Sequence, residues 1–192
     1  MDLNIGTADV VNKVLWEEYD ADRAAGGFTL ADVLPDSATY VLKGAPLTVN
    51  YTTRVAVLVK TALVVAGSTT TVTRVEKNHL FKVGDVIADA VSGNGVAITA
   101  ISYANAAYDT LTHLTNGGAY SAADVLFQAA AVGTGDAAYL YTANALLSDN
   151  SKNVGSVTMT AIIGALEIRE ANLPYSLDTA IKTALGARFQ FV

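Results

Sequence analysis

The chain of 192 residues contains no cysteine. Disulfides and cysteine-based zinc sites are therefore excluded, and the fold must hold by packing in either redox compartment. Charge is also scarce: Asp, Glu, Lys and Arg make up 16% of the residues, too few for a disordered chain. The formal net charge is −6 and there is no basic cluster, which argues against nucleic acid as a partner, because phosphate would be repelled. The longest apolar run, Val55 to Ala66, is interrupted by Lys60 and is too short to span a bilayer, so no membrane partner is expected. The opening Met1-Asp2-Leu3-Asn4 lacks the basic stretch of a signal peptide, and none is predicted.

What is present is apolar and small. Hydrophobic residues make up 52%, with Ala and Val ahead of Leu and Phe. That is ample for a core, and a charge-poor exterior of this kind implies that part of it is covered by neighbouring subunits. The expected fold is mainly β with minor α, in three stretches. Residues 1–52 form an N-terminal helix and arm. Residues 53–128 form a compact β-barrel or sandwich body. Residues 129–192 add a C-terminal β segment with a helix over 176–185, packed on that body.

In the first stretch, Thr7 to Tyr19 is predicted helical. Thr7 is placed to cap it, Asp9 suits its positive end, and Val11, Leu15 and Tyr19 recur every four residues beside Val10 and Val14. Glu17, Glu18, Asp20 and Asp22 follow. They are weighed as a calcium loop and read instead as a solvated helix end, since the ligand alternation of an EF-hand is missing. Thr29 to Leu34 could add one helical turn before Pro35, and Tyr40-Val41-Leu42 a short strand.

The body carries strand signals at regular spacing. Arg54 to Lys60 is rich in β-branched residues, and strand character continues through Val64-Val65. Gly67-Ser68 turns into a strand over Thr70 to Val75, and Lys77-Asn78 turns again. Val83-Gly84-Asp85 reads as a tight corner: Gly permits positive φ and the Asp side chain can bond nearby amides. Ser92-Gly93-Asn94-Gly95 is a hairpin signal between strands. Val96 to Ile101, Asp109 to Leu114 and Val125 to Phe127 are further strands, with a turn at Asn116-Gly117-Gly118. In the third stretch, Ala137 to Leu147 is a strand pair or a short helix. Val154 to Ile168 is one or two strands, with a bulge marked by Gly164. Ser176 caps a helix whose face is Leu177, Ile181 and Leu185. Gly186 ends it, and Arg188 to Val192 is a terminal strand.

No catalytic, cofactor-binding or metal-binding constellation emerges, and no enzyme activity or cofactor is expected. His79 and His113, with Glu76 and Asp109 near them in sequence, are weighed as members of a Ser-His-Asp group. Without a nucleophile elbow the structural reading is preferred, with His79 in a turn between strands. Gly133, Gly135 and Ala138 outline a dinucleotide fingerprint but lack its strand–helix context. Tyr103, Tyr108, Tyr120, Tyr139 and Tyr141 could line a sugar-binding surface. For Tyr139 and Tyr141 a core or interface role is favoured.

The block from Arg54 to Lys60, then Ala62 to Thr71, then Lys77-Asn-His-Leu-Phe-Lys-Val-Gly-Asp85 resembles the head-fibre and capsid-decoration proteins of tailed bacteriophages. Those chains pair a valine-rich strand after an arginine with a later Phe-x-Val-Gly-Asp corner, and Asp109 to Thr112 is similar to their next strand. The resemblance covers the middle third to half of the chain. It implies a virion protein on the capsid exterior, made in the host cytoplasm, that binds the major capsid protein and its own copies as a homotrimer. Lacking a long fibrous repeat, the chain would be a decoration protein or a fibre base. Asp2 to Leu34 is the segment expected to supply part of the partner contact, through Val11, Val14, Leu15, Tyr19, Phe28 and Leu30. Its removal is expected to abolish capsid attachment and leave the body folded. The alternative is a carbohydrate-binding or adhesion module, meeting a host-surface glycan through Tyr139 and Tyr141.

Overall fold

The computed structural model describes residues 14–31, 40–90, 93–115, 119–135, 137–152 and 158–192. The chain begins with β1 (Ala21–Arg23), β2 (Phe28–Leu30), β3 (Tyr40–Val41), β4 (Pro46–Asn50) and β5 (Val55–Leu58). It continues into β6 (Thr61–Leu63), β7 (Val72–Val75), β8 (Val86–Asp89), β9 (Val96–Ser102), β10 (Asp109–His113) and β11 (Val125–Gln128). It returns through β12 (Ala145–Leu147), β13 (Ser151–Lys152), β14 (Thr158–Met159), β15 (Ala161–Ile168), the helix α1 (Thr179–Leu185) and β16 (Phe189–Phe191). Among the described residues the protein is mainly β, with one short helix near the C-terminal end, as its sequence predicts.

Two β bodies result. The first is a sheet ordered β1-β15-β12-β4-β5-β2-β14, with β16 parallel to β15. The second is ordered β6-β11-β8-β9-β10-β7. A Val64–Val75 bridge and the bonds Val65 N to Arg74 O and Glu76 N to Leu63 O join its two outer strands, closing it as a small barrel. Closure removes the unpaired strand edges that would otherwise invite association. Alternation explains the barrel core: Ile87, Val96, Ile98, Leu111 and Leu126 point inward with Phe81 and Tyr120.

The valine-dense run after Arg54 is divided between the two bodies. Its first half, β5, pairs with β4 and β2 in the first sheet; Val59 and Lys60 then carry the chain across to β6 in the barrel. Arg54 sits at φ 57, and its guanidinium donates to Ala25 O at 2.7 Å and lies over the Phe28 ring, tying the N-terminal segment to β5. The predicted corner forms: Gly84 has φ 93, and Asp85 accepts a bond from Lys82 N at 2.9 Å. Gly67 (φ 92) and Asn78 (φ 68) occupy the two predicted turns on either side of β7. Next to Gly164, Asp22 and Arg23 pair with Gly164 and Ile162 in turn, so Ile163 bulges as anticipated.

Several expectations need correcting. Of the predicted N-terminal helix, residues 7–13 lie outside the described residues. From Val14 the chain is irregular and then makes a single 3-10 turn, Glu18–Asp20. A helix would place Leu15 and Tyr19 on one face, yet Leu15 is 4% exposed and Tyr19 85%. Phe28 to Leu30 is a strand rather than the start of a helical turn, because Phe28 and Leu30 point into the core and Thr29 points out. Ala137 to Leu147 contains β12 and a lone bridge from Tyr139 to Ala129, but no helix. The C-terminal helix is capped by Asp178, whose side chain accepts from Ile181 N at 2.8 Å, so Ser176 is not its cap. Gly186 ends it at φ 76, as predicted. The turn placed at 116–118 lies outside the described residues.

Candidate functional site

The most concentrated buried polar chemistry lies where the chain passes between the two bodies. Lys60 occupies the outward crossing and Gln128 ends β11, at the return crossing. The two are adjacent, since Gln128 N donates to Lys60 O at 3.1 Å. Both side chains converge on the corner residue Asp85. Lys60 Nζ lies 2.9 Å from Asp85 Oδ2, and Gln128 Nε2 donates to Asp85 Oδ1 at 3.0 Å. With Lys82 N, the carboxylate collects three donors. Lys60 is 1% exposed and Asp85 5%. A buried pair of this kind gains little net stability over an apolar pair of the same shape, but removing one partner strands a charge away from water. Its effect here is positional, because one carboxylate fixes both crossing strands to the barrel corner.

A second cluster flanks the first. Lys77 Nζ lies 2.5 Å from Asp109 Oδ1, and His79 Nε2 lies 3.6 Å from Asp109 Oδ2. The His79 ring is stacked against Tyr103 and tilted against Phe81, each at a centroid distance of 6.0 Å. Neither ring nitrogen has a hydrogen-bond partner, and nor has the buried Thr61 hydroxyl. Burial pushes the His79 pKa down to about 4, against the pull of the Asp109 carboxylate, so the ring is neutral at pH 7. Asp109 thus meets His79 rather than His113, its closer neighbour in sequence. His113 is buried and fully bonded: Nδ1 donates to Leu114 O at 2.7 Å and Nε2 accepts from the Thr73 hydroxyl at 2.8 Å. Burial lowers its pKa too. Thr61 and His79 are not bonded to each other, so His79 lacks the hydroxyl partner of a nucleophile–base pair; His113 has one, the Thr73 hydroxyl, enclosed inside the barrel.

The remaining sequence candidates are dispersed. Val11 lies outside the described residues. Val14 is 45% exposed and Tyr19 is open to solvent, whereas Leu15, Phe28 and Leu30 are buried in the molecule's own cores and present no surface. Glu18 pairs with Lys43 at 2.6 Å and also with Arg23. The Lys43 ammonium and then the Arg23 guanidinium hold its carboxyl below the usual range. Glu17 reaches Arg169. Among the described residues no group of three or more potential ligands is gathered for a metal. Gly133 bridges to Gly95 between strands and opens no helix, so the fingerprint reading fails on context. The Tyr139 ring stacks on Phe127 at 3.8 Å and its hydroxyl donates to Asp178, while Tyr141 packs against the core around α1. Both are half-buried, each with one side packed on a core.

The Lys60–Asp85–Gln128 group was not singled out in the sequence. One signal was available: a lysine inside an otherwise apolar strand run must find a buried counter-charge. Comparison of the chain with family models, curated proteins and solved structures finds no match in any of the three.

Proposed function

We propose that this chain is a structural protein of a bacteriophage virion, a decoration protein or head-fibre base, that binds the major capsid protein and its own copies on the capsid's outer face. The sequence resemblance from Arg54 to Asp85 motivates the reading. One structural observation carries it furthest: several large apolar side chains remain on the outside of the molecule, where nothing among the described residues covers them. Tyr19, Val192, Leu114 and Val132 are 85, 71, 68 and 60% exposed. Such positions are what repeated copies on a lattice would cover, each contact weak and multiplied by symmetry.

The reading gives Val14 and Tyr19 the capsid contact and leaves Leu15, Phe28 and Leu30 to the core. Removing Asp2 to Leu34 would strip β1 and β2 from the first sheet, so a narrower change is the better test. Val14→Ser with Tyr19→Ser should leave folding stability within about 0.5 kcal/mol and cut the occupancy of capsids reconstituted with the companion major capsid protein at least several-fold. Occupancy is read by electron microscopy, and light scattering of the free protein reads the homotrimer. Unchanged occupancy removes this contact. Absence of the chain from the shell altogether removes the function. The alternative reading, a glycan-binding module, would use the half-buried Tyr139 and Tyr141 or more exposed rings such as Tyr19 and Tyr51.

A further inference from the structure

His79 is a buried polar side chain without hydrogen bonds, and it sits at a seam. One wall of a narrow cleft there comes from the barrel: Thr61, Ala62 and Leu63 on β6, and Glu76, Lys77 and His79 after β7. The other wall is Pro174, Tyr175 and Ser176, in the segment leading to α1. Tyr175 belongs to the first sheet: its side chain is part of that sheet's core, and its hydroxyl accepts a bond from Leu42 N at 3.1 Å. The cleft is therefore a contact between the two bodies, separate from the chain crossings at Lys60 and Gln128. Its volume of about 10 Å³ is room for about one water molecule, too little to hydrate a charged imidazole.

We propose that this seam is an acid-sensitive latch: it stays shut while His79 is neutral, and it opens on acidification while the barrel itself remains folded. The charges facing His79 account for the direction. Asp109 is the closest carboxylate, but Lys77 already holds its other oxygen. Asp85 is bound by Lys60, Lys82 N and Gln128. Glu76 lies in the same cleft, and Lys77 opposes any new positive charge. From the facing segment come Pro174, Ser176 and Tyr175, none of them ionised, since burial raises the Tyr175 pKa further. A protonated His79 would meet in the closed seam only the Asp109 carboxylate that Lys77 already shares and the exposed Glu76, which do not offset the cost of burying its charge, and water satisfies it once the seam opens.

The sign follows from linkage. In the closed form the ring titrates at about 4, and in the open, hydrated form at its ordinary 6.5. Between those values the open form binds more protons, so opening becomes more favourable as pH falls. From pH 7.5 to 5 the opening equilibrium should rise about 30-fold.

The test is hydrogen exchange on the full chain at pH 7.5 and 5, corrected for the intrinsic exchange rate. Peptides covering 77–79 and 173–177 should show the rise, while β6, Leu111 and Leu126, held by the barrel's own strand pairing, should not. His79→Gln cannot titrate and should show no rise. Proton NMR of the wild type supplies a second reading that needs no variant, with the His79 ring titrating well below 6.5. An equal rise in wild type and His79→Gln, a rise spread evenly over the barrel, or a His79 ring titrating near 6.5 would each overturn the latch.

Discussion

The barrel and the first sheet are built from the same kinds of residue in opposite ways. The barrel takes all six strands from one uninterrupted stretch, β6 to β11. The first sheet is assembled from both ends of the chain: β1 lies on β15, β4 on β12, and β2 on β14. Its cores show the same mixture. Phe28 packs with Met159, and Leu15 and Trp16 with Ile181 and Leu185. The barrel can therefore form from near neighbours in sequence, whereas the sheet must close long loops before its contacts are gained. The barrel is thus the natural first unit of folding, with the two ends wrapping afterwards.

The sharpest way to break this comparison is to separate the bodies. A fragment of residues 59–129 keeps every barrel strand and the Lys60–Asp85–Gln128 group. It should fold alone and melt cooperatively by circular dichroism. It loses the packing of Tyr139 on Phe127 at the barrel's outer surface, so its melting point should fall well below that of the full chain. The reciprocal fragment, ending at residue 143, lacks β12 and β15 and should lose the first sheet while barrel amides stay protected. A disordered 59–129 fragment would show instead that the barrel depends on the ends.

The next largest effect should come from the junction. Asp85→Ala leaves Lys60 buried without a counter-charge and should cost about 3–5 kcal/mol in urea unfolding. Replacing both partners, Lys60→Met with Asp85→Leu, removes the stranded charge and should recover more than half of that loss. If the double variant is no better than Asp85→Ala, the corner's bonds to Lys82 N and Gln128 matter more than the ion pair.

The contrast also governs what could be read from the sequence. The barrel was legible because its grammar is local. Gly67, Asn78 and Gly84 sit in the predicted turns, and strand alternation survives from β7 to β11. The N-terminal stretch was not legible, because tertiary partners override local periodicity there. Leu15 and Tyr19 share helical spacing, but Leu15 is captured by the core around α1, more than 150 residues away, and Tyr19 is not. The same holds for the polar site. Asp109 lies four residues from His113, but the pairing of β10 with β7 delivers it to Lys77 and His79. The division of the run after Arg54 was hidden because a strand leaving one sheet and entering another keeps its apolar character throughout.

The smallest effect concerns the place where the C-terminal helix meets the barrel's outer surface. Asp178 caps α1 through Ile181 N and accepts the Tyr139 hydroxyl, and burial raises its pKa above the usual 3.8. A carboxyl with a raised folded-state pKa binds its proton more tightly in the native state. Its contribution is therefore greatest at low pH and is lost as pH rises from 3.8 through the raised value. At pH 7 the ionised group carries that cost in full. Asp178→Ala removes the cap and should destabilise by about 1 kcal/mol. Asp178→Asn keeps an acceptor for Ile181 N, and its amide can donate to the Tyr139 oxygen with the direction of that bond reversed. The Asn variant should therefore melt at or slightly above the wild-type temperature at pH 7, with the difference shrinking as pH falls toward 3.8. If Asn instead destabilises as much as Ala at pH 7, the carboxylate's charge, rather than its shape, holds the wrapped end to the barrel.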